Sequence, residues 1–189
     1  EHEISCLSAG SVFQAIDRTQ FEPVLIGIDK GGDFHYFPPN IPLEIILKDG
    51  VKTLPFVPRD LPKIELKDID CDIFFPVLHG PGGEDGQIQS ELSKLGKQFV
   101  GSAEVASKNA MDKSAAKSLC AAVGLPVVPG ITINQNSLLG IQERVAEIGY
   151  PVFVKPSRSG SSRGTCKVKN ETQLIPAIED AFEFEIVEW

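Results

Sequence analysis

Residues 73–86 read IFFPVLHGPGGEDG, an apolar run that leads directly into a polar, glycine-rich loop. A continuous apolar run of this kind is typical of a strand that is buried on both faces of a parallel sheet. Pro76 lacks a main-chain donor, so we expect it to lie near the end of the strand. In an open α/β sheet, ligands bind at the loops after the carboxyl ends of strands, which makes residues 79–86 a candidate site.

Helical and strand patterns flank this stretch on both sides. Apolar spacing predicts a helix over 3–17 and a buried strand over 24–28, and a polar turn at 48–50 predicts a hairpin. After the glycine loop, Ile88, Leu92 and Leu95 fall on one face of a predicted helix, and a short strand follows at 99–100. This order predicts an α/β fold with a mainly parallel open sheet in an amino-terminal domain over residues 1–101.

The composition changes near residue 101, and a second domain is predicted over residues 102–189. Asp112 is expected to cap a helix that Gly124 ends. Asn170 with Gln173 resembles a capping box for a last helix that ends near residue 184. The remaining elements predicted here are strands at 131–133, 152–155 and 165–168, and a helix over 138–148.

Charge and hydropathy exclude several classes of function. The 26 acidic and 18 basic residues give a net charge of −8, which argues against nucleic acid as the main partner. No apolar run approaches the roughly 20 residues that a membrane helix needs. No charged segment followed by an apolar segment opens the chain, so we expect a cytoplasmic protein without a secretory signal.

The four cysteines predict no metal centre. They are scattered along the chain without a CxxC pair, and the three histidines lie far from them in sequence. A structural zinc site needs clustered ligands, so we expect reduced thiols of the kind that cytosolic proteins carry. The cysteines are Cys6, Cys71, Cys120 and Cys166.

The most informative loop reads SRSGSSRG over residues 157–164 and follows Lys155 closely. Its main-chain amides, hydroxyls and guanidinium groups are suited to surround a polyphosphate. The loop matches neither the Walker A pattern nor GxGxxG, and by itself it is more typical of a solvated hairpin tip. His79, Lys113 and Glu1 are likewise open to structural readings when each is taken alone, as a loop histidine, a surface lysine and a first-turn carboxylate.

Four motifs together resemble the D-alanine–D-alanine ligases of the ATP-grasp superfamily, in the order that this family has. They are EHEIS at 1–5, FPVLHGPGGEDGQIQ at 75–89, VGS at 100–102 with MDK at 111–113, and PVFVKP at 151–156 with GSS at 160–162. The resemblance covers essentially the whole chain but only the first half to two-thirds of the family. It implies that 1–101 is the amino-terminal domain without its first strand, and that 102–189 begins the ATP-grasp central domain.

The resemblance implies an activity. ATP phosphorylates the carboxylate of one D-alanine, and the amine of a second D-alanine attacks the acyl phosphate, which supplies the dipeptide for peptidoglycan. ATP, Mg²⁺ or Mn²⁺ and a cytoplasmic homodimer are implied with it. A ligase that joins D-alanine to D-lactate or D-serine is a close alternative. A non-catalytic nucleotide-binding module is an alternative of a different class.

The resemblance also assigns roles to residues on the substrate side. Glu1 should bind the ammonium of the first D-alanine, and Ser161 should help to hold Glu1 and close the site. His79 should lie near the carboxylate of the first substrate and the transferred phosphoryl group.

On the nucleotide side, Lys113 and Lys155 should contact the phosphates of ATP. The loop that contains Ser159, Gly160 and Ser162 should fold over those phosphates. Two further residues, Glu188 and Trp189, fall where the family binds adenine.

Three departures from the family accompany these motifs. Arg163 stands where the family has a small or apolar residue, which implies either an added phosphate contact or a distorted loop. The stretch 182–188 is shorter than its counterpart in the family. Both chain ends read as cut, and the metal ligands are expected beyond this chain, so the 189 residues alone are expected to be inactive.

Overall fold

A computed structural model describes residues 2–37 and 61–184, and the chain divides into two compact units, Glu1–Ser107 and Lys108–Trp189. The sequence predicts a domain boundary after residue 101, which stays a prediction. The hairpin predicted around residues 48–50 lies outside the described residues, as do Glu1, Glu188 and Trp189. No helix in the described ranges is long and apolar enough to cross a bilayer.

The first unit opens with a helix and a short strand, as the sequence predicts for residues 3–17 and 24–28, and this strand pairs with a second one in a hairpin. Its elements are helix α1 (His2–Ala15), strands β1 (Ile26–Ile28) and β2 (Phe34–Tyr36), a 3₁₀ turn (Leu66–Asp68), helix α2 (Gln87–Lys94) and helix α3 (Glu104–Met111), which crosses into the second unit. The strands are antiparallel, with Gly27 opposite His35. The mainly parallel sheet stays a prediction, for which the described residues offer one parallel bridge, between Phe74 and Phe99.

The apolar run at residues 73–78 forms an extended segment rather than a strand buried on both faces, so that part of the prediction is wrong. Phe74 bonds to both neighbours of Phe99, since its N–H donates to Gln98 O at 2.8 Å and its O accepts from Val100 N–H at 2.8 Å. Ile73 and Phe75 are 50% and 57% exposed. Side chains alternate along an extended chain, so packing Phe74 inward turns both of its neighbours outward.

The core of the first unit fixes the two ends of the glycine loop. Its buried members are Leu66, Ile69, Ile88 and Leu92, with Phe74, Leu78 and Phe99 packed against them. Ile88 and Leu92 stand four residues apart on α2 and therefore share one face. Residues 79–86 thus connect two segments that are both anchored in the same core.

The second unit contains helices around an antiparallel hairpin. Its elements are α4 (Lys113–Ala122), α5 (Ile141–Ile148), strands β3 (Val152–Val154) and β4 (Cys166–Val168), a 3₁₀ turn (Glu171–Gln173) and α6 (Leu174–Glu183). Phe153 faces Lys167 in the β3–β4 register, so residues 155–165 form the connection of a hairpin. The predicted helices and both predicted strands of this hairpin are confirmed.

Two local predictions in the second unit are wrong. Residues 131–133 are not in a strand, because Ile131 and Ile133 pack against the core without a ladder partner among the described residues. The capping box at Asn170 does not form. Gln173 Oε1 instead accepts the N–H of Lys169 at 2.9 Å, and a 3₁₀ turn stands between Asn170 and α6.

The core of the second unit joins the hairpin to two helices. Its buried members are Ile141, Val145, Val168, Leu174, Ala177 and Ile178. Val168 and Leu174 are fully buried, which fixes β4 against the start of α6. The loop at residues 155–165 therefore extends from a rigid base.

Candidate functional site

The glycine loop of the first unit satisfies much of its own main chain. Glu84 Oε2 accepts the N–H of Gly80 at 2.6 Å, and Asp85 Oδ2 accepts the N–H of Gly82 at 2.8 Å. Asp85 Oδ1 also accepts the N–H of Gln87, in the first turn of α2, at 3.1 Å. These two carboxylates therefore shape the loop, as acidic residues commonly do in turns.

Two glycines of this loop leave no room for a side chain. Gly86 has φ +93°, and a Cβ there would lie 2.6 Å from the carbonyl oxygen of Glu104. A Cβ at Gly83 would lie 2.3 Å from Cβ of Leu78. The loop therefore keeps its path only with glycine at both positions.

His79 begins the loop, and helix α1 holds it at two points. Ser8 Oγ lies 2.8 Å from His79 Nε2, and Ser5 Oγ accepts the main-chain N–H of His79 at 2.9 Å. The imidazole is otherwise exposed. No motif in the sequence reveals either contact, although Ser5 and Ser8 are three residues apart and hence on one helix face.

Glu3, near the start of α1, is engaged by a cation of its own unit. Lys30 Nζ donates to Glu3 Oε1 at 2.7 Å. This hydrogen bond lowers the pKa of Glu3 to about 2. The first turn of α1 therefore carries an ionised carboxylate over the neutral pH range.

In the second unit, Lys113 binds the loop at residues 157–164. Its Nζ donates to the carbonyl oxygens of Ser157 at 3.2 Å and Ser159 at 2.5 Å, and its main-chain N–H also donates to Ser157 O, at 3.1 Å. Burial lowers the pKa of Lys113, the charge of Lys155 lowers it further, and Asp112 opposes both. Three residues that the sequence predicts for the nucleotide side thus lie together in the second unit. They are Lys113, Ser159 and Lys155.

Asp112 links the same loop to helix α4. As the sequence predicts, it caps the helix, and its Oδ1 accepts the N–H groups of Ser114 at 2.9 Å and Ala115 at 3.0 Å. It also accepts from Ser157 Oγ at 3.0 Å and, through Oδ2, from Arg158 Nε at 3.1 Å. The bond from Ala115 N–H, then those from Arg158 and Ser157, lower the pKa of Asp112 to about 2 despite its partial burial.

The tip of this loop follows an unusual main-chain path. Ser161 and Ser162 have φ +51° and +57°, in the left-handed region that side chains disfavour. The N–H of Arg163 donates to Gly160 O at 3.1 Å, which closes a tight turn around the two serines. Both serines are exposed, so their hydroxyls are available to a ligand.

Arg163 is directed to an aromatic ring of its own unit. Its guanidinium lies over the ring of Phe184, 5.5 Å from the centroid. A Cβ at the adjacent Gly164 would lie 2.7 Å from Cδ2 of the same ring. The end of the loop is therefore packed against Phe184 through both residues.

A groove of about 760 Å³, which no motif in the sequence predicts, opens beside the base of this loop. Most of its lining residues are polar, and one of them, Phe182, is aromatic. Its other lining residues include Asp112, Ser114, Thr132, Asn134, Ser157 and Arg158. Ser161 and Lys155 do not line it.

The described residues hold no cluster suited to a metal ion. Within 2–37 and 61–184, no three His, Cys, Asp or Glu side chains lie together. The four cysteines are free thiols, and burial raises the pKa of Cys6 and Cys71. A divalent ion would therefore need ligands other than these.

Comparison with known families gives two matches that together cover most of the chain. Residues 1–102 match the family model described as D-ala D-ala ligase N-terminus. Residues 119–187 match the model described as D-ala D-ala ligase C-terminus.

The proteins that are similar to this chain are longer than it. D-alanine--D-alanine ligase A of Salmonella typhimurium is 37% identical over 98% of this chain and 55% of its own length. The structure of VanG D-Ala:D-Ser ligase from Enterococcus faecalis has a TM-score of 0.83 at 32% identity, over 97% of this chain and 56% of that one. The D-alanine-D-alanine ligase from Coxiella burnetii has a TM-score of 0.82 at 29% identity, over 98% and 58%. The chain thus spans about half the length of the relatives it matches.

Proposed function

The chain belongs to the D-ala D-ala ligase family, and we propose that it forms part of an ATP-dependent enzyme that joins two D-alanines. A carboxylate reacts poorly with an amine, so the proposed reaction first forms an acyl phosphate with ATP. The second D-alanine then displaces phosphate through its amine. Phosphoryl transfer of this kind depends chiefly on positioning and on neutralising charge.

The observation that carries the proposal is the anchored loop at residues 157–164. Asp112 and Lys113 hold its base through five hydrogen bonds, to Ser157, Arg158 and Ser159. Its tip presents the exposed hydroxyls of Ser161 and Ser162. A rigid base with free hydroxyls and main-chain donors at the tip is suited to cover a polyphosphate.

We assign the nucleotide side to this loop and two lysines. Lysine has three N–H donors, and Lys113 uses two on carbonyl oxygens, which leaves one for a phosphate oxygen. Lys155 is exposed and adds a second positive charge. Ser159, Gly160 and Ser162 supply the cover of the phosphates, and Glu188 and Trp189 bind the adenine.

We assign the substrate side to Glu1, His79 and Ser161. A carboxylate at Glu1 stays ionised near the start of a helix and can bind the ammonium of the first D-alanine by a charge-assisted bond. Ser161 helps to hold Glu1, and His79 faces the substrate carboxylate and the transferred phosphoryl group.

The family implies a divalent metal ion in addition to ATP, and we expect Mg²⁺ or Mn²⁺. Such an ion would supply positive charge that neutralises the phosphates of ATP. The described side chains do not form a cage for it.

The test of this function is a coupled assay of ADP release by the full-length protein with D-alanine as the substrate. We expect D-alanine-dependent ADP release and formation of the dipeptide. D-lactate and D-serine, each supplied with D-alanine, test the alternative ligases, to which the similarity to VanG D-Ala:D-Ser ligase gives weight. ATP binding without ADP release under any of these conditions would instead favour a nucleotide-binding module. Light scattering on the same sample tests the proposed homodimer.

Lys155→Ala in the full-length enzyme is expected to weaken ATP binding about tenfold, because it removes a charged contact to phosphate. The KM for D-alanine should change less than twofold. Lys169→Ala, which removes another exposed lysine of the same unit, is the matched control. An equal loss for both substrates, or an equal loss in the control, would contradict the role of Lys155.

A further inference from the structure

Helix α1 holds both the main chain and the ring of His79. Ser5 Oγ accepts the main-chain N–H at 2.9 Å, and Ser8 Oγ lies 2.8 Å from Nε2. The two serines are three residues apart, so one helix face makes both contacts. These two contacts orient the imidazole, although it is exposed.

Ser8 differs in its bonding from the next serine of the helix. Serine hydroxyls on a helix commonly donate back to the carbonyl four residues earlier. Ser11 does so, since its Oγ donates to Leu7 O at 3.1 Å. The hydroxyl of Ser8 contacts a ring 71 positions away in sequence.

Neutral imidazole carries a single N–H. A hydrogen bond at one ring nitrogen therefore determines whether the other nitrogen is a donor or an acceptor. If the hydroxyl of Ser8 donates to Nε2, the proton lies on Nδ1. Within the described residues, no hydrogen bond is made by Nδ1 of His79. In that form, Nδ1 is the nitrogen that can donate to a ligand.

We propose that Ser8 is a positioning residue that keeps His79 in the Nδ1–H form, so that the ring donates a hydrogen bond to an anionic oxygen of the substrate. The oxygen belongs to the carboxylate or to the phosphoryl group that is being transferred. The identity of the substrate in this inference rests on the proposed function. The position of the proton on the ring does not depend on that function. The role of Ser8 is to orient the donor before the substrate arrives.

Kinetics of three variants of the full-length enzyme test the role of Ser8. Ser8→Ala should lower kcat about tenfold and leave the KM for ATP within twofold, because the lost contact acts on the reacting group. Ser8→Thr keeps the hydroxyl and should recover most of the activity. Ser11→Ala, which removes a hydroxyl bonded within the helix, should behave as the wild type. If Ser8→Ala and Ser11→Ala are equally active, the proposal is wrong.

Nitrogen-15 spectra of the histidines test the form of the ring without turnover. At neutral pH the wild-type protein should show a protonated Nδ1 and an unprotonated Nε2 for His79, with the signal assigned through His79→Gln. Ser8→Ala should lose this preference, and Ser11→Ala should keep it. A proton on Nε2 in the wild type would overturn the proposal. These spectra remain decisive even if the assay shows no ligase activity, so the two failures are distinguishable.

Discussion

Gly86→Ala is expected to destabilise the first unit by about 2–5 kcal/mol, the sum of a left-handed main chain and an overpacked contact. Gly86 has φ +93°, which a side chain disfavours. The new Cβ would also lie 2.6 Å from the carbonyl oxygen of Glu104, a main-chain atom that cannot turn aside as a flexible side chain does. The residues at the start of α2 or at Glu104 must therefore shift.

Gly32→Ala is the matched control, because Gly32 lies in the same unit with φ +88° and has open space around its Cβ position. Gly32→Ala should lower the free energy of unfolding by only about 1–2 kcal/mol, the cost of the left-handed main-chain conformation. Thermal unfolding of the full-length variants, with hydrogen exchange to localise the change to α2, measures the difference. Equal destabilisation by the two variants would show that the contact with Glu104 is unimportant.

Asp112→Ala is expected to destabilise the second unit by about 2–4 kcal/mol and to weaken ATP binding as well. Loss of a helix cap costs about 1 kcal/mol, and the remainder comes from Arg158 and Ser157, which lose their acceptor. The loop at residues 157–164 would then lose these contacts with α4, while Lys113 still binds its base. A loop that is less ordered before binding must be ordered by the nucleotide, which lowers affinity.

Asp112→Asn separates the two effects. An asparagine still offers an oxygen to the N–H groups of Ser114 and Ala115, but it carries no charge for Arg158. We expect helix stability close to the wild type and an intermediate affinity for ATP, measured by calorimetry on the full-length protein. If Asp112→Ala leaves ATP affinity unchanged, the carboxylate serves the helix alone.

The pH dependence of Asp112 has a definite sign. Its pKa falls from the ordinary 3.8 to about 2 in the folded protein. The stabilisation is therefore complete above about pH 4 and is lost as the pH falls towards 2. Asp112→Asn should flatten this part of the stability profile, measured by urea unfolding at a series of pH values. A profile unchanged by the substitution would contradict the assignment.

Local patterns in the sequence predict the helices well. Helix α2 follows from the spacing of Ile88 and Leu92, and α4 follows from the cap at Asp112, because each signal lies within a few residues of the element that it specifies. The strand at residues 73–78 is predicted less well. Whether such a run is buried on one face or two depends on partners that are distant in sequence, such as Phe99.

In the candidate site, too, local signals can be predicted from the sequence and long-range contacts cannot. The motifs identify His79, Lys113 and the loop around Ser159, since residue types and order carry that information. They do not reveal that Ser8 contacts His79 or that Asp112 contacts Ser157, because the members of these pairs are 71 and 45 positions apart. Contacts of this range follow from the packing of whole elements rather than from a local pattern. The roles of all these site residues, and those of Glu1, Glu188 and Trp189, stay predictions.

At Ser161 and Ser162, at the tip of the loop, an unfavourable main-chain conformation is combined with an exposed hydroxyl group. Glycine at either position would relieve a left-handed conformation that costs a side chain about 1–2 kcal/mol. Glycine would also remove the hydroxyl that each exposed serine offers. The chain thus tolerates a locally unfavourable shape at both residues and keeps two donors there. We therefore expect Ser162→Gly to make the protein more stable and to weaken its binding of phosphate.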